Sequence, residues 1–418
     1  MIVAAVPARG PFRGAVAVPP SKSFTNRALI LAAVARRPVE IRRPLDCDDA
    51  ESLIAALSAA GVRIRRERDV LLVAPGAPPS GEAILDARES GTACRFLAAF
   101  AAATPGLRAR LGGSPRLCER PIGGLVDALR MLGAEIAYAG TEGFPPLAIL
   151  GKELAGGSVE VAASESSQYA SALLLAAPRF RAGLDLALTG PAVSRAYLDT
   201  TREAMAAAGI ETVFAEGRFR VADGAAVRAD SLDVPGDWSS GASLAAAVAV
   251  AGGSLRLEHL PWPSTQADAR AVAVLQAMGL AVDADGGSVT VSGKADRPVE
   301  VDAADFPDAV PVLAAVAGRV EGKSGFRGVE HLRLKESDRI AAMEDLLGAA
   351  GIGARYAGRA LEVTGSRDAA PAAVLPTRAD HRIVMAATLL AFARGGWVES
   401  PRAVEKSYPG FFRDVFGI

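Results

Sequence analysis

The chain has 418 residues, half of them hydrophobic, and its 46 lysines and arginines nearly balance its 47 aspartates and glutamates, for a net charge of −1. A chain of this length exceeds what one hydrophobic core usually supports, so we expect two domains. The near-neutral charge excludes a global basic field for nucleic acid or an anionic membrane, so any anion site must come from local clusters of cations.

Cysteine usage and the N-terminal segment indicate a cytoplasmic protein. Cys47, Cys94 and Cys118 are odd in number and too scattered for a disulfide framework or a zinc site. Pro7 and Pro11 interrupt the apolar N-terminus before the core of a signal peptide could form. Apolar runs also fall short of the ~18–20 residues of a membrane span. We therefore expect a soluble, cytoplasmic protein with no metal site.

A pattern of about seventy residues recurs along the chain. In each copy an amphipathic helix runs into a glycine and is followed by two strands; the first copy reads DAESLIAALSAAGVRIRRERDVLLV. Glycine suits these positions because a helix can end in a left-handed conformation that a side chain disfavours. The glycines that end these helices are Gly61, Gly133, Gly209, Gly279 and Gly351.

A second type of helix fills the other half of each repeat. Six segments begin with a polar cluster, which we call the helix opening, and continue as apolar runs typical of buried helices. These openings are marked by Ser23, Gly91, Ser167, Ser240, Asp308 and His381. Alternating helices and strand pairs predict an α/β protein of six repeats. Breaker-rich points at Pro19-Pro20 and Val234-Pro235 bracket the first three repeats, so we expect three repeats per domain.

Several helix openings carry cations. Free backbone N–H groups and the helix dipole make a helix N-terminus an anion site, and arginine can grip phosphate or carboxylate with two hydrogen bonds. Pro121, directly after Arg120, predicts a further helix start. A single cation at such a place is usually a solvated surface residue. Here the cations recur at the same position in several repeats, which favours a binding site for a small substrate with several anionic groups. The cations at the openings are Lys22, Arg27, Arg95, Lys335, Arg339 and Arg382, with Lys406 near the C-terminus.

The openings and their flanks include, in chain order, PSKSFTNRAL, ESGTACRFL, ERPIGGLVDALR, ESSQY, LRLKESDRI, DHRI and EKSYPGFF. This ordered set, from Pro20 to Phe412, resembles the signature segments of the 5-enolpyruvylshikimate-3-phosphate (EPSP) synthase family. The resemblance implies two domains, each of three repeated βαβαββ-type units around a pseudo-threefold axis, an inside-out α/β barrel. The first domain would comprise residues 19–234 and the second residues 1–18 plus 235–418, with the active site in the cleft between them.

The same resemblance implies an activity. The enolpyruvyl group of phosphoenolpyruvate would be transferred to the 5-hydroxyl of shikimate 3-phosphate, with release of phosphate, by addition and elimination through a tetrahedral intermediate. This reaction belongs to aromatic amino acid biosynthesis. The family resemblance also implies a monomer without a cofactor, whose partners are its two small substrates rather than nucleic acid or membrane, and which is a target of glyphosate.

Site residues follow by matching positions in these segments. Asp308 and Glu336 are implied to transfer protons, with Lys22 as a third candidate; the attacking hydroxyl must lose a proton and the methylene of phosphoenolpyruvate must gain one. The residues implied to bind shikimate 3-phosphate are Lys22, Ser23, Arg27, Ser166, Ser167, Gln168, Ser194, Tyr197, Asp308 and Lys335. Those implied to bind phosphoenolpyruvate are Lys22, Gly91, Arg120, Gln168, Arg339, Arg382 and Lys406.

The chain departs from the family pattern at five positions. Glu89 and His331 stand where the family commonly has asparagine, and Ala196 where proline is frequent. Trp238 and Gly241 are unusual in the segment GDWSSGAS. These departures leave the predicted reaction in place and bear on affinity and on the response to inhibitors.

Two other functions stay open at this stage. The related transferase that acts on UDP-N-acetylglucosamine has a cysteine near the arginine matching Arg120, which Cys118 could supply, but its GAKNA-like first segment is absent here. A non-catalytic protein that binds phosphorylated metabolites would keep the cationic openings and would not need Asp308 or Glu336. An RNA-end cyclase, which has related repeats, would require a glycine-rich nucleotide segment that the sequence lacks.

Overall fold

The structure is a computed structural model that describes residues 2–162, 166–190, 196–369 and 374–417. The chain divides into two compact units. We call Pro20–Val234 the N-terminal unit, and Met1–Pro19 together with Pro235–Ile418 the C-terminal unit. Within the described residues, no helix has the length and apolar character needed to cross a membrane.

Two strands, β1 (Val3–Val6) and β2 (Ala15–Ala17), precede the N-terminal unit, which contains three repeats. The first repeat comprises α1 (Lys22–Val34), β3 (Val39–Arg42), α2 (Asp48–Ala59), β4 (Arg63–Glu67) and β5 (Val70–Ala74). The second comprises β6 (Glu82–Asp86), α3 (Gly91–Ala102), β7 (Arg108–Gly112), α4 (Pro115–Cys118), α5 (Gly123–Met131), β8 (Glu135–Tyr138) and β9 (Leu147–Leu150). The third comprises β10 (Gly157–Ala162), α6 (Ser167–Ala176), β11 (Leu184–Thr189), α7 (Ala196–Ala207), β12 (Val213–Ala215) and β13 (Arg218–Val221), and is followed by β14 (Ser231–Asp233).

The C-terminal unit continues the pattern. The fourth repeat comprises α8 (Trp238–Ala251), β15 (Ser254–Glu258), α9 (Ala271–Ala277), β16 (Ala281–Ala284) and β17 (Ser288–Ser292). The fifth comprises β18 (Glu300–Asp302), α10 (Val310–Ala317), β19 (Gly322–Arg327), α11 (Arg339–Ala349), β20 (Gly353–Ala357) and β21 (Ala360–Gly365). The sixth comprises β22 (Val374–Leu375), α12 (His381–Ala391), β23 (Gly396–Glu399) and α13 (Phe411–Phe416). Short 3-10 turns at Ala177–Arg179, Ala267–Arg270, Pro307–Ala309, Glu330–Leu334 and Pro401–Lys406 join these elements.

Each repeat has its own small sheet. In the second repeat the order is β6-β7-β9-β8, with β6 and β7 parallel and the other pairs antiparallel. Four further sheets share this plan, and the sixth has three strands in the order β1-β23-β22. Strands β14 and β2 take the first place in the sheets of the first and fourth repeats, although both are distant from those repeats in sequence. The repeats are therefore completed by strands from elsewhere in the chain.

The helices with polar openings form the core of each unit. In the N-terminal unit α1, α3 and α6 contact one another, and in the C-terminal unit α8, α10 and α12 do the same. These helices are buried around their circumference; in α3 every residue except Thr92 is buried. Three buried helices in mutual contact, with sheets around them, confirm the predicted inside-out α/β class.

The glycines predicted to end helices do so by a shared hydrogen-bond pattern. After α2, Gly61 has a φ of +96°, its N–H donates to the Ser58 carbonyl (3.0 Å), and the Val62 N–H donates to the Leu57 carbonyl (3.0 Å). This pair of bonds is a Schellman motif, which requires a positive φ. The corresponding pair follows α5, α7, α9 and α11. The seventy-residue pattern in the sequence thus reflects a repeated way of ending a helix.

The helix start predicted at Pro121 is wrong. Helix α5 begins at Gly123, with Ile122 as its cap. The Pro121 carbonyl accepts hydrogen bonds from the Arg95 guanidinium (2.7 Å) and the Tyr169 hydroxyl (2.8 Å). These two bonds to neighbouring helices hold Pro121 outside the first turn.

Candidate active site

Arg27, a buried arginine in the first turns of α1, has no acidic partner among the residues that the structure describes. The Arg27 guanidinium donates to the Thr201 hydroxyl (2.8 Å) and to the carbonyls of Ser23 (2.8 Å) and Tyr197 (3.1 Å), which are all neutral. Burial lowers the pKa of Arg27 to about 10. A buried cation held by neutral acceptors is well suited to meet an anionic group of a ligand. The structure thus joins three predicted site residues, Arg27, Ser23 and Tyr197, and adds Thr201, which the sequence did not indicate.

Lys22, the first residue of α1, has a carboxylate partner. Its Nζ lies 3.0 Å from Oδ2 of Asp49 in α2, and both side chains are largely buried. Ser21 caps the helix by accepting a hydrogen bond from the Phe24 N–H (3.3 Å). Sequence reasoning missed Asp49 because it lies in no segment of the recognised set. Its position four residues before Leu53, on the first turn of a predicted helix, gave no sign of the contact.

A second group of predicted residues meets around Arg95, and we call it the Arg95 cluster. The Arg95 guanidinium donates to the Gly91 carbonyl (3.2 Å), the Gln168 side-chain oxygen (2.9 Å) and the Pro121 carbonyl (2.7 Å). The Gln168 amide in turn donates to the Thr92 hydroxyl (3.1 Å). One buried side chain therefore fixes the openings of α3 and α6 and the segment before α5. The sequence marked Arg95 only as one cation among several.

Ser166 and Ser167 open α6 beside this cluster. Ser166 is the helix cap and accepts a hydrogen bond from the Gln168 N–H (3.2 Å), while Ser167 is buried as the first helical residue. Ser194, also predicted to bind substrate, lies outside the described residues. Glu89 is exposed and directly precedes the Ser90 cap of α3.

Gly91 and Arg120 are in close contact. A Cβ atom built on Gly91 would lie 2.6 Å from the guanidinium carbon of Arg120, well inside van der Waals contact. Arg120 is itself buried. The absence of a side chain at Gly91 therefore sets where the Arg120 guanidinium can lie.

If Arg120 binds phosphoenolpyruvate, as the family resemblance implies, Gly91→Ala should raise the KM for that substrate about 10- to 100-fold, because the displaced guanidinium would hold the anion poorly. The fold should be preserved, since the clash is with the flexible end of a side chain and alanine favours a helix. Steady-state kinetics and thermal unfolding measure the two effects. Gly348→Ala, in α11 with open space around it, is the matched control. An unchanged KM would show that Arg120 does not bind this substrate.

The C-terminal unit contains a group that we call the acid–arginine cluster. At its centre the buried Arg339 guanidinium contacts three carboxylates, Asp308, Glu336 and Asp380, each at 2.8 Å. Asp308 comes from the turn before α10, Glu336 from the segment before α11, and Asp380 from the cap of α12. The cluster is completed by two further cations, Lys335 and Arg382. Asp380, within the segment DHRI, was not among the predicted site residues.

Burial and neighbouring charges shift the pKa values of Asp308 and His331 in the acid–arginine cluster and beside it. Burial by itself would raise the pKa of Asp308, but Lys335 (3.8 Å), Arg339 and Arg382 (3.8 Å) outweigh it and hold the pKa below its usual range. Burial, with Lys335 acting in the same direction, lowers the pKa of His331 to about 4. Near neutral pH, Asp308 is therefore an ionised carboxylate and His331 a neutral imidazole.

Lys406 also belongs to the C-terminal unit, where it is the last residue of the turn Pro401–Lys406. This turn contacts α12, the helix that carries Arg382, and the Lys406 side chain is buried.

Among the described residues, no three or more His, Cys, Asp and Glu side chains are grouped so that they could hold a metal ion.

Two departures from the family pattern compensate for each other locally. Trp238 is fully buried, donates its indole N–H to the Pro261 carbonyl (2.9 Å), and packs against Trp262 with ring centroids 5.5 Å apart. A Cβ atom on Gly241 would lie 2.8 Å from a methyl of Leu260. The glycine therefore leaves room for the segment on which the tryptophan packs.

The chain has the same fold as two solved enolpyruvyl transferases. The EPSP synthase from Acinetobacter baumannii has a similar structure, with a TM-score of 0.80 and 24% identity, covering 99% of this chain and 97% of that one. The enolpyruvyl transferase NikO from Streptomyces tendae is also similar, with a TM-score of 0.76 and 18% identity, covering 99% and 96%.

Sequence comparison defines the family within this class. A family model described as EPSP synthase (3-phosphoshikimate 1-carboxyvinyltransferase) matches residues 6–415. A relative from Methanoculleus marisnigri named 3-phosphoshikimate 1-carboxyvinyltransferase is 38% identical, covering 98% of this chain and 97% of that protein. The chain belongs to the EPSP synthase family. This membership confirms the predicted enzyme and reaction, transfer of the enolpyruvyl group from phosphoenolpyruvate to shikimate 3-phosphate.

Proposed function

We propose that the residues described above bind the two substrates of this reaction and move its protons. The observation that carries the proposal is the state of Asp308, a carboxylate kept ionised by surrounding cations within the acid–arginine cluster. An ionised carboxylate can accept the proton that the attacking hydroxyl loses.

Shikimate 3-phosphate is proposed to bind mainly to the N-terminal unit. Arg27 offers a buried positive charge held by neutral partners, and the opening of α6 offers the positive end of a helix dipole at Ser167. Further contacts come from Ser23 and Tyr197, which flank Arg27. Lys22, Ser166, Ser194, Asp308 and Lys335 complete the proposed set.

Phosphoenolpyruvate is proposed to use cations from both units. Lys22, Gly91, Arg120 and Gln168 belong to the N-terminal unit. Arg339, Arg382 and Lys406 belong to the C-terminal unit. Both sets are proposed to act on the same small anion, and the two domains are proposed to comprise residues 19–234 and residues 1–18 plus 235–418.

The proposed chemistry has two stages. In the first, the 5-hydroxyl oxygen attacks C2 of phosphoenolpyruvate, its proton passes to a carboxylate, and C3 receives a proton, giving a tetrahedral adduct. In the second, C3 loses a proton while the C2–O bond to phosphate breaks, and inorganic phosphate leaves. Asp308 and Glu336 are the proposed proton carriers, with Lys22 as the alternative. The surrounding arginines and lysines stabilise the anionic adduct.

We further propose that the enzyme works as a cytoplasmic monomer with its two substrates as its only partners and without a cofactor. Every residue assigned to the reaction comes from one chain, and each chemical step needs only proton transfer and electrostatic stabilisation. Neither bound nucleic acid nor a membrane enters this scheme.

Purified protein should release inorganic phosphate from phosphoenolpyruvate only when shikimate 3-phosphate is present. The two-substrate requirement follows because phosphate leaves only from the adduct that both substrates form. A coupled phosphate assay, with each substrate omitted in turn, measures it. Equal release with UDP-N-acetylglucosamine in place of shikimate 3-phosphate would establish the related transferase instead, and release from phosphoenolpyruvate alone would contradict the scheme.

Glyphosate is proposed to compete with phosphoenolpyruvate, and Glu89→Asn should strengthen its inhibition by about 2- to 5-fold. The exposed Glu89 carboxylate precedes the opening that carries Gly91, where it would repel an anionic inhibitor. Inhibition constants for wild type and variant give the comparison. An unchanged constant would show that Glu89 does not face the inhibitor.

A further inference from the structure

A buried carboxylate outside the predicted substrate sites lies in the fourth repeat. Asp268, in the turn Ala267–Arg270, is only 2% exposed, and its Oδ2 accepts a hydrogen bond from the Ser239 hydroxyl. Its Oδ1 is buried and has no hydrogen-bond partner in the described part of the chain. An unsatisfied buried carboxylate oxygen is costly, which calls for a role that stability alone does not supply.

The charged groups around Asp268 are Asp308 and Arg382 of the acid–arginine cluster, together with Asp237. The turn that carries Asp268 contacts α8, α9 and the turn Pro307–Ala309. Helix α8 contributes Asp237 at its cap, α9 has no charged residue, and the turn contributes Asp308. Arg382 of α12 also acts on Asp268. Burial and then the repulsion from Asp308 raise the pKa of Asp268 to about 6.

Arg382 is the cation that responds to this carboxylate. Burial acts to lower the pKa of Arg382, and the fields of Asp308, Asp268 and Asp237 together raise it. Its ion pair with Asp308 is long, with 3.8 Å between Nη2 and Oδ2. Its Nε is buried without a hydrogen-bond partner among the residues described. Arg382 therefore lies in the combined electrostatic field of three carboxylates, Asp308, Asp268 and Asp237.

We propose that Asp268 is a positioning residue for enolpyruvyl transfer, acting through the orientation of Arg382 and the charge on Asp308. The proposal rests on the function proposed above for Arg382 and Asp308. Ionised Asp268 attracts the guanidinium and repels the Asp308 carboxylate. When Asp268 takes up a proton, both effects are lost, so acidification should loosen Arg382 without any change in the substrate-binding groups themselves.

Asp268→Asn keeps the size of the side chain and its acceptor for Ser239 while removing the charge. The variant should show a KM for phosphoenolpyruvate raised about 10- to 100-fold, since the guanidinium is misplaced. The fall of kcat/KM on the acid side, centred near pH 6 in wild type, should disappear. Asp305→Asn is the matched control, because Asp305 pairs with Arg270 near the same turn; it should leave both quantities unchanged.

Thermal unfolding gives a readout that does not depend on activity. The pKa of Asp268 lies above its usual value of 3.8, so its ionisation disfavours the folded state. Wild type should lose this part of its stability as the pH rises from about 4 to about 6. Asp268→Asn should not, so its unfolding temperature relative to wild type should increase across that window. A difference in unfolding temperature that stays constant across that window would show that Asp268 does not change its charge there, which contradicts the proposed response to acidification.

Ser239→Ala provides a second test should Asp268→Asn fail to fold. The hydrogen bond from Ser239 lowers the pKa of Asp268, so its loss should move the acid limb to higher pH with no change of charge at the site. A wild-type KM and pH profile in Asp268→Asn, or an unmoved acid limb in Ser239→Ala, would overturn the proposal. If the stability shift is present but no transfer occurs even in wild type, the coupling stands and the proposed function fails.

Discussion

Replacing Asp308 by asparagine or Glu336 by glutamine should slow the chemical step by about 10²–10⁴-fold. Both carboxylates contact Arg339 at 2.8 Å within a site proposed to hold two anionic substrates. Carboxylates at this place repel the anionic substrates and so weaken their binding. Their presence is explained if each carboxylate transfers a proton in the reaction. The amides retain the shape of the side chains and can still accept a hydrogen bond from Arg339, so shikimate 3-phosphate binding should change much less than turnover.

Rapid-quench measurement of a single turnover reports the chemical step, and calorimetry reports shikimate 3-phosphate binding. Glu330→Gln is the matched control. Glu330 lies on the turn that precedes Lys335, and its carboxylate pairs with the exposed Arg359. That variant should keep wild-type chemistry. Should Asp308→Asn or Glu336→Gln also keep it, the carboxylate concerned holds Arg339 in place and Lys22 becomes the leading proton carrier.

The repeated features of the fold could be read from the sequence because they depend on local interactions. Gly61 and Val62 end α2 by donating to carbonyls three and five positions earlier, respectively, so the signal lies within one segment. The apolar runs after Ser23 and Gly91 likewise predict buried helices from a single stretch of chain. The completion of the first and fourth sheets by β14 and β2 is a pairing across the sequence, and no local pattern indicates it.

The candidate site shows the same division between local and distant information. Segments such as LRLKESDRI and DHRI named most of the charged residues, because each segment is contiguous. What they could not show is which charges meet. Arg339 and Asp380 are 41 positions apart, and Arg95 and Gln168 are 73 positions apart. Such pairings depend on how three buried helices bring their openings together. Pro121 was misread for this reason, since its carbonyl is held by residues on α3 and α6.

Arg339→Met should cost about 3–5 kcal/mol of folding free energy and abolish measurable transfer. Methionine has a similar length and no charge, so the buried carboxylate of Asp380 and the partly buried ones of Asp308 and Glu336 would lose the cation they share. Removing one member of a buried ion network leaves charges uncompensated, which destabilises more than the network itself stabilises. Chemical denaturation of wild type and variant at pH 7 measures the loss. Arg333→Met, which removes an exposed partner of Asp338, should cost no more than about 1 kcal/mol.

The pH dependence of Arg339→Met tests the electrostatic origin of that loss. Arg339 is one of three cations that hold the pKa of Asp308 below its usual range, so the variant favours the protonated carboxyl more than wild type does. The wild-type stability that depends on ionised Asp308 is present above the usual pKa and lost as the pH falls through the lowered value. The stability difference between the two proteins should therefore be largest near pH 7–8 and shrink on acidification towards about pH 4. Adding Asp380→Asn to the variant should recover part of the loss, because one uncompensated charge is then removed. A difference that stayed constant with pH, with no recovery in the double variant, would mean that Arg339 stabilises the unit by packing rather than by charge.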